Sequence, residues 1–135
     1  MNLAIKRIPM KYLMMILLSF MIASAVDVLA VFILQSIDQI GTADTDMKNL
    51  PYGIAIGCNL FLALGTSPIF LNLKYSVKAN LMLSALSFFL LPLVIMMSLA
   101  LSLEEEALIG IGFCVPYIFV LSFLFVRFHK QSLLK

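Results

Sequence analysis

The chain has 135 residues, of which 63% are hydrophobic and 12% charged, and its formal net charge is +2. A soluble domain carries roughly 45–50% apolar and about 25% charged residues, and a chain this short has too much surface to hide such an excess from water. The composition argues against a soluble enzyme, a nucleic-acid-binding module, a disordered chain and a disulfide scaffold, and leaves a protein whose solvent is lipid.

Four apolar runs follow one another at residues 12–34, 52–73, 81–103 and 107–126. A helix needs about 20 mainly apolar residues to cross a hydrocarbon core of about 30 Å. Segments such as Leu86-Ser-Phe-Phe-Leu-Leu do not alternate, so a barrel is rejected. A helix satisfies its own backbone hydrogen bonds in lipid. The links are short, which forces neighbouring helices to run antiparallel. The predicted fold is an all-α membrane protein: one domain over 1–135, an antiparallel four-helix transmembrane bundle.

The first run follows Lys6, Arg7 and Lys11 and contains one formal charge, Asp27. Ser19, Ala23, Asp27 and Ala30 recur at helical spacing and predict a packing stripe. A basic start, an apolar stretch and Ala23-Ser24-Ala25 also have the shape of a signal peptide cleaved after Ala25. Against cleavage, the apolar run continues to Leu34 and makes a full span. The second run opens at Pro51, suited to a first helical turn. It carries Gly53-xxx-Gly57, a pattern that lets helix backbones approach closely. It then meets Gly65-Thr66-Ser67-Pro68, which predicts a kink, with unwinding toward an ion as the alternative. Pro92 and Pro116 fall within the third and fourth runs. Between those runs, Ser102-Leu-Glu-Glu reads as a capping box opening the fourth helix.

The basic residues divide unevenly. Lys6, Arg7, Lys11, Lys74, Lys78, Arg127, Lys130 and Lys135 fall on one side of a four-pass chain, and Lys48 alone on the other. Asp38, Asp44, Asp46 and Glu104 to Glu106 share the side of Lys48. The positive-inside rule then predicts that both termini and the middle link are cytoplasmic, in a cell membrane. Tyr12, Tyr52 and Tyr75 stand near span ends, where an amphipathic ring suits the headgroup region.

Candidate site residues are few. An intramembrane carboxylate is costly and usually faces the bundle interior, so Asp27 is the leading ion or substrate candidate. Seven residues separate it from Leu34, about 10 Å of helix. On the second span Asn59 comes level with it, beside Cys58, and on the fourth Cys114 to Pro116 do. An amide can donate to a carboxyl, so an Asp27–Asn59 clasp is predicted. Thr66 and Ser67 are further candidates at the helix break. Ala23, Gly53 and Gly57 are predicted to pack helices. The sequence has no motif for a metal, a cofactor or a catalytic set: no zinc spacing, HExxH, GxSxG or phosphate loop.

The plan of four short-linked spans is similar in topology to small multidrug transporters, which also carry one carboxylate in their first span. It is similar as well to some immunity proteins against pore-forming toxins. No motif ties the chain to either. The sequence therefore predicts a non-enzymatic membrane protein that acts by binding another membrane protein or its own copy, as an accessory subunit or an immunity-type protein. The alternative is a small proton- or cation-coupled transporter using Asp27.

Overall fold

The computed structural model describes residues 2–40 and 48–134. Asp44, Asp46 and Lys135, used above in the charge balance, lie outside the described residues. The elements in order are α1 (Asn2–Ser36), α2 (Leu50–Gly65), a 3-10 segment (Ser67–Leu73), α3 (Tyr75–Ala79), α4 (Leu81–Ser102), a 3-10 turn (Glu104–Glu106) and α5 (Ala107–Leu133). No strand occurs among the described residues. Among the described residues four stretches are long and apolar enough to cross a membrane: Pro9–Ser36, Leu50–Leu73, Leu81–Ser102 and Ala107–Gln131. The first and last are longer than the apolar runs alone suggest. Charged residues such as Lys11 and Arg127 continue a helix past the hydrocarbon zone without ending it.

Local chemistry sets the boundaries. Asp38 takes a left-handed backbone conformation (φ 55°) just beyond α1. Its N–H bonds to Gln35 C=O at 3.2 Å, and the N–H of Gln39 bonds to Leu34 C=O at 2.9 Å. This is the Schellman arrangement, which satisfies the last carbonyls of a helix. Gln35 then ties the link to α2. Its Nε2 donates to Lys48 C=O at 2.8 Å, and its Oε1 accepts from the Tyr52 hydroxyl at 3.0 Å. Pro51 occupies the first turn of α2. Asn80 caps α4, its Oδ1 accepting from the N–H of Met82 at 3.0 Å.

Ser102 does not open a capping box. It is the last residue of α4, and its hydroxyl donates back to Ser98 C=O at 2.8 Å. Glu104, with φ 43°, swings the chain directly into the turn that leads to α5. The break after α2 is neither a simple kink nor an open loop. The α-helix stops at Gly65 and the span continues as the 3-10 segment, Pro68 lying in its first turn. Proline has no N–H to donate at that point, and the tighter winding keeps the remaining backbone groups paired.

α1 packs on α2 and α5, α4 packs on α5, and the 3-10 segment packs on α4. α1 runs without interruption through Ala23-Ser24-Ala25, so a cut after Ala25 would remove Tyr12, Ser19 and Ala23 from the core. At one end Tyr12 meets Phe70 and Phe128, with ring centroids 6.3 and 5.6 Å apart, and Lys78 Nζ sits 5.8 Å from the Phe128 ring centre. Tyr12 is thus a core residue and not a headgroup anchor. Tyr75, 85% exposed, is free to be one.

The partition of residues is inverted relative to a water-soluble globule. Ser19, Asp27, Asn59, Thr66, Asn72, Ser84 and Ser87 are buried, while Leu64, Phe119 and Phe123 are among many large apolar side chains exposed by about 60% or more. In water such a surface would aggregate. In hydrocarbon it costs nothing, and the polar side chains gain by turning inward.

Candidate functional site

On α1 the buried positions Ser19, Ala23, Asp27 and Val31 step by four residues, so one stripe of that helix faces inward. The stripe continues through Val31; Ala30 is only partly buried. On α2 the buried positions Ala55, Cys58, Asn59, Leu62 and Ala63 define the facing stripe. Where the stripes cross, Asn59 Nδ2 donates to Asp27 Oδ2 at 2.6 Å. Asp27 is 1% exposed and Asn59 is fully buried. Asn59 Oδ1 is buried without a partner, as are the hydroxyls of Ser19 and Ser24. Cys58, next to Asn59 on α2, and Cys114 on α5 are free, buried thiols.

Thr66 does not join Asp27. It lies seven residues beyond Asn59, about 10 Å along the helix. Its hydroxyl donates to Leu62 C=O at 2.7 Å and stands 2.8 Å from the Tyr117 hydroxyl. A hydroxyl has one hydrogen, already given to Leu62, so Tyr117 is the donor to Thr66. Ser67 is exposed and belongs to neither pair. The four ion or substrate candidates therefore form one pair, one member of a different pair and one outward-facing residue.

Within one copy of the chain the Gly53 and Gly57 pair makes no close approach. A Cβ placed on Gly53 or Gly57 would meet nothing within 4 Å. Both lie on the face of α2 turned away from α1, because the interior stripe is set by Ala55, Asn59 and Leu62. The close approach occurs at Gly65, where a Cβ would strike the Ile95 side chain of α4, and at Gly110, where it would strike Leu103. Ala23 is fully buried on the α1 stripe and does pack there.

A third polar group was not anticipated. Asn72, at the end of the 3-10 segment, is 1% exposed. Its Oδ1 accepts from the Ser84 hydroxyl at 2.6 Å, and its Nδ2 donates to Ser87 Oγ and to Ile69 C=O. Ser87 in turn donates to Ser84 C=O at 2.7 Å, and the Tyr12 hydroxyl donates to Asn72 C=O at 3.2 Å. The signal for it was present as Ser84 and Ser87, three apart on one helix face. They are unremarkable alone in an apolar run, because serine can bond back to its own helix.

These groups can hold helices together and, at Asp27, can hold or release a proton. Among the described residues no three His, Cys, Asp or Glu side chains converge to hold a metal. The fold and these interior contacts define the class as a multi-pass helical membrane protein. No protein-family profile, curated protein or solved structure matches the chain.

Proposed function

We propose that the chain is a non-enzymatic membrane protein that acts by binding another membrane protein, as an accessory subunit or an immunity-type protein. One observation carries this reading: the polar interior is occupied largely with itself. Asp27 is taken up by Asn59, Tyr117 by Thr66, and Asn72 by Ser84 and Ser87. A coupled transporter must open its titrating carboxyl to water on one side and then the other. A closed bundle instead offers its outer surface as the working part. The helices run antiparallel in a cell membrane with both termini cytoplasmic. The positive-inside rule supports this, as do the contacts that gather Tyr12, Asn72, Lys78 and Phe128 at one end and Gln35, Lys48 and Tyr52 at the other. Reporter fusions after Lys78 should read cytoplasmic and one at Lys48 external; a cytoplasmic reading at Lys48 overturns the topology.

The second reading is a small proton- or cation-coupled transporter. It is favoured by the unpartnered oxygen of Asn59, whose amide holds the Asp27 carboxyl, and by the unpartnered Ser24 Oγ three residues before Asp27 on α1, which leave hydrogen-bonding capacity for a bound species. Purified protein in liposomes under an imposed proton or cation gradient separates the two. The partner reading expects vesicles as tight as protein-free ones. A flux that disappears in Asp27→Asn establishes transport and defeats it.

A further inference from the structure

A groove of about 270 Å³ lies between α1 and α5 at the end of the bundle where Tyr12 and Phe128 meet. Lys11 on α1 and Arg127 and Gln131 on α5 form its rim, and Met14, Leu18 and Leu124 lie along its apolar part. Among the described residues no carboxylate lines it. We propose that this groove binds an anionic phospholipid, with the phosphate between Lys11 and Arg127 and an acyl chain along Met14, Leu18 and Leu124. The inference goes beyond the reading of Asp27 and rests only on the chain's lying in a bilayer.

Three observations carry it. Two cations from different helices face one cleft with no acid to offset them, so an anion relieves their repulsion. On each helix the cation stands one turn from an apolar residue on the same face: Lys11 from Met14, and Arg127 from Leu124. An anionic head joined to an apolar tail matches that step, whereas free phosphate leaves the apolar part empty and an acidic peptide lays charge upon it. Phe128, which lines the cleft, is also held in place. The Tyr12 hydroxyl is bonded to Asn72 C=O, its ring lies on Phe128, and Lys78 rests on the Phe128 ring. Basic pockets between transmembrane helices hold anionic headgroups in this manner.

The test uses the full chain, delipidated in detergent and then offered equimolar phosphatidylglycerol and phosphatidylcholine in mixed micelles, with retained lipid counted by native mass spectrometry. The wild type should retain phosphatidylglycerol over phosphatidylcholine by about tenfold or more, given two cations at the site. Lys11→Gln with Arg127→Gln should bring the two lipids to near parity. Lys74→Gln with Lys130→Gln removes the same charge away from the groove and should keep the preference. Leu18→Trp fills the apolar part, leaves both cations in place and should also lower retention. Parity in the wild type, equal loss in the control pair, or wild-type retention in Leu18→Trp would overturn the site. So would displacement of the lipid by inorganic phosphate or by a poly-glutamate peptide, which would identify a free anion or an acidic partner as the occupant.

Discussion

Asn59 and Asp27 meet at 2.6 Å across the seam of α1 and α2, and the hydrogen bond runs from amide to carboxyl inside a bundle whose outer surface is almost wholly apolar. Neither residue has solvent access that would compensate for losing the other. The pair therefore fixes the rotation of both helices: turning either by a quarter would aim a carboxyl or an amide at hydrocarbon, at a cost of several kcal/mol.

Asp27→Leu should destabilise the bundle by about 1–3 kcal/mol, because it orphans the Asn59 amide in an apolar surround. Asp27→Asn keeps the size and the hydrogen-bonding capacity and should cost less. Asn59→Leu in the Asp27→Leu background should recover part of the loss, giving a coupling of about 0.6–2 kcal/mol. Reversible unfolding in mixed micelles, run as a double-mutant cycle, reads all three. A coupling near zero would mean that the contact does not hold the seam.

Tyr117 and Thr66 make an asymmetric pair, and the asymmetry is measurable. Tyr117→Phe removes the donor, but Thr66 keeps its own bond to Leu62 C=O, so the cost should be about 1 kcal/mol or less. Thr66→Val leaves the Tyr117 hydroxyl buried with no acceptor and should cost more, about 1–3 kcal/mol. With both changes together the loss should fall below the sum of the two. The same unfolding assay checks the order; a larger cost for Tyr117→Phe would reverse the assigned donor.

Residue type and run length made the four spans legible, because a 20-residue apolar stretch has few alternatives in lipid. Depth matching brought Asp27 to Asn59 because rise per residue is constant along both helices. The rotation of α2 was not legible. Gly53 and Gly57 suggested a packed face, but the inward face is decided by where Asn59 and Leu62 must go, and that depends on partners on other helices. Ser102 failed as a cap for a related reason. α4 runs on through it, so its oxygen has no helix start to accept from, and its hydrogen goes to Ser98 C=O one turn back. Asn72 closes the second apolar run, and only the 3-10 continuation carries it inward to Ser84 and Ser87.

The two kinds of glycine should respond in opposite directions. Gly53→Ala, in the first turn of α2, and Gly57→Ala, in its interior, meet open space and should stabilise by up to about 0.5–1 kcal/mol through helix propensity, Gly57→Ala the more. Gly65→Ala drives a methyl into the movable end of the Ile95 side chain and should cost about 0.5–1.5 kcal/mol, the strain of shifting that side chain from its rotamer. Ile95→Val should relieve part of that cost when combined with it. Thermal unfolding in detergent ranks the four variants. Destabilisation by Gly57→Ala only at high protein-to-detergent ratio would instead reveal a helix contact between copies.

Asn72 should be the most sensitive polar position in the chain. Its side chain satisfies Ser84 and Ser87 on α4 at once, while its own carbonyl receives Tyr12 from α1. Asn72→Leu leaves the Ser84 hydroxyl without its acceptor, and Ser87 Oγ loses the hydrogen it accepts. With about 1–3 kcal/mol at stake for a buried group left unsatisfied, the loss should exceed that of Asp27→Asn or Tyr117→Phe. Asn72→Asp separates the two halves of the network. It keeps an acceptor for Ser84 but, when ionised, offers no donor to Ser87 or Ile69 C=O, so the defect should lessen as the carboxyl is protonated at low pH. Ser84→Ala in the Asn72→Leu background removes the hydroxyl left without its acceptor and should regain part of the stability. Hydrogen exchange at the 3-10 segment is the second readout. Residues 67–73 should lose protection in Asn72→Leu while the middle of α1 and α5 keeps it, because the network anchors that segment to α4 and leaves the Asp27 seam untouched. Uniform loss across all spans would show that the network carries the whole bundle and not one joint of it.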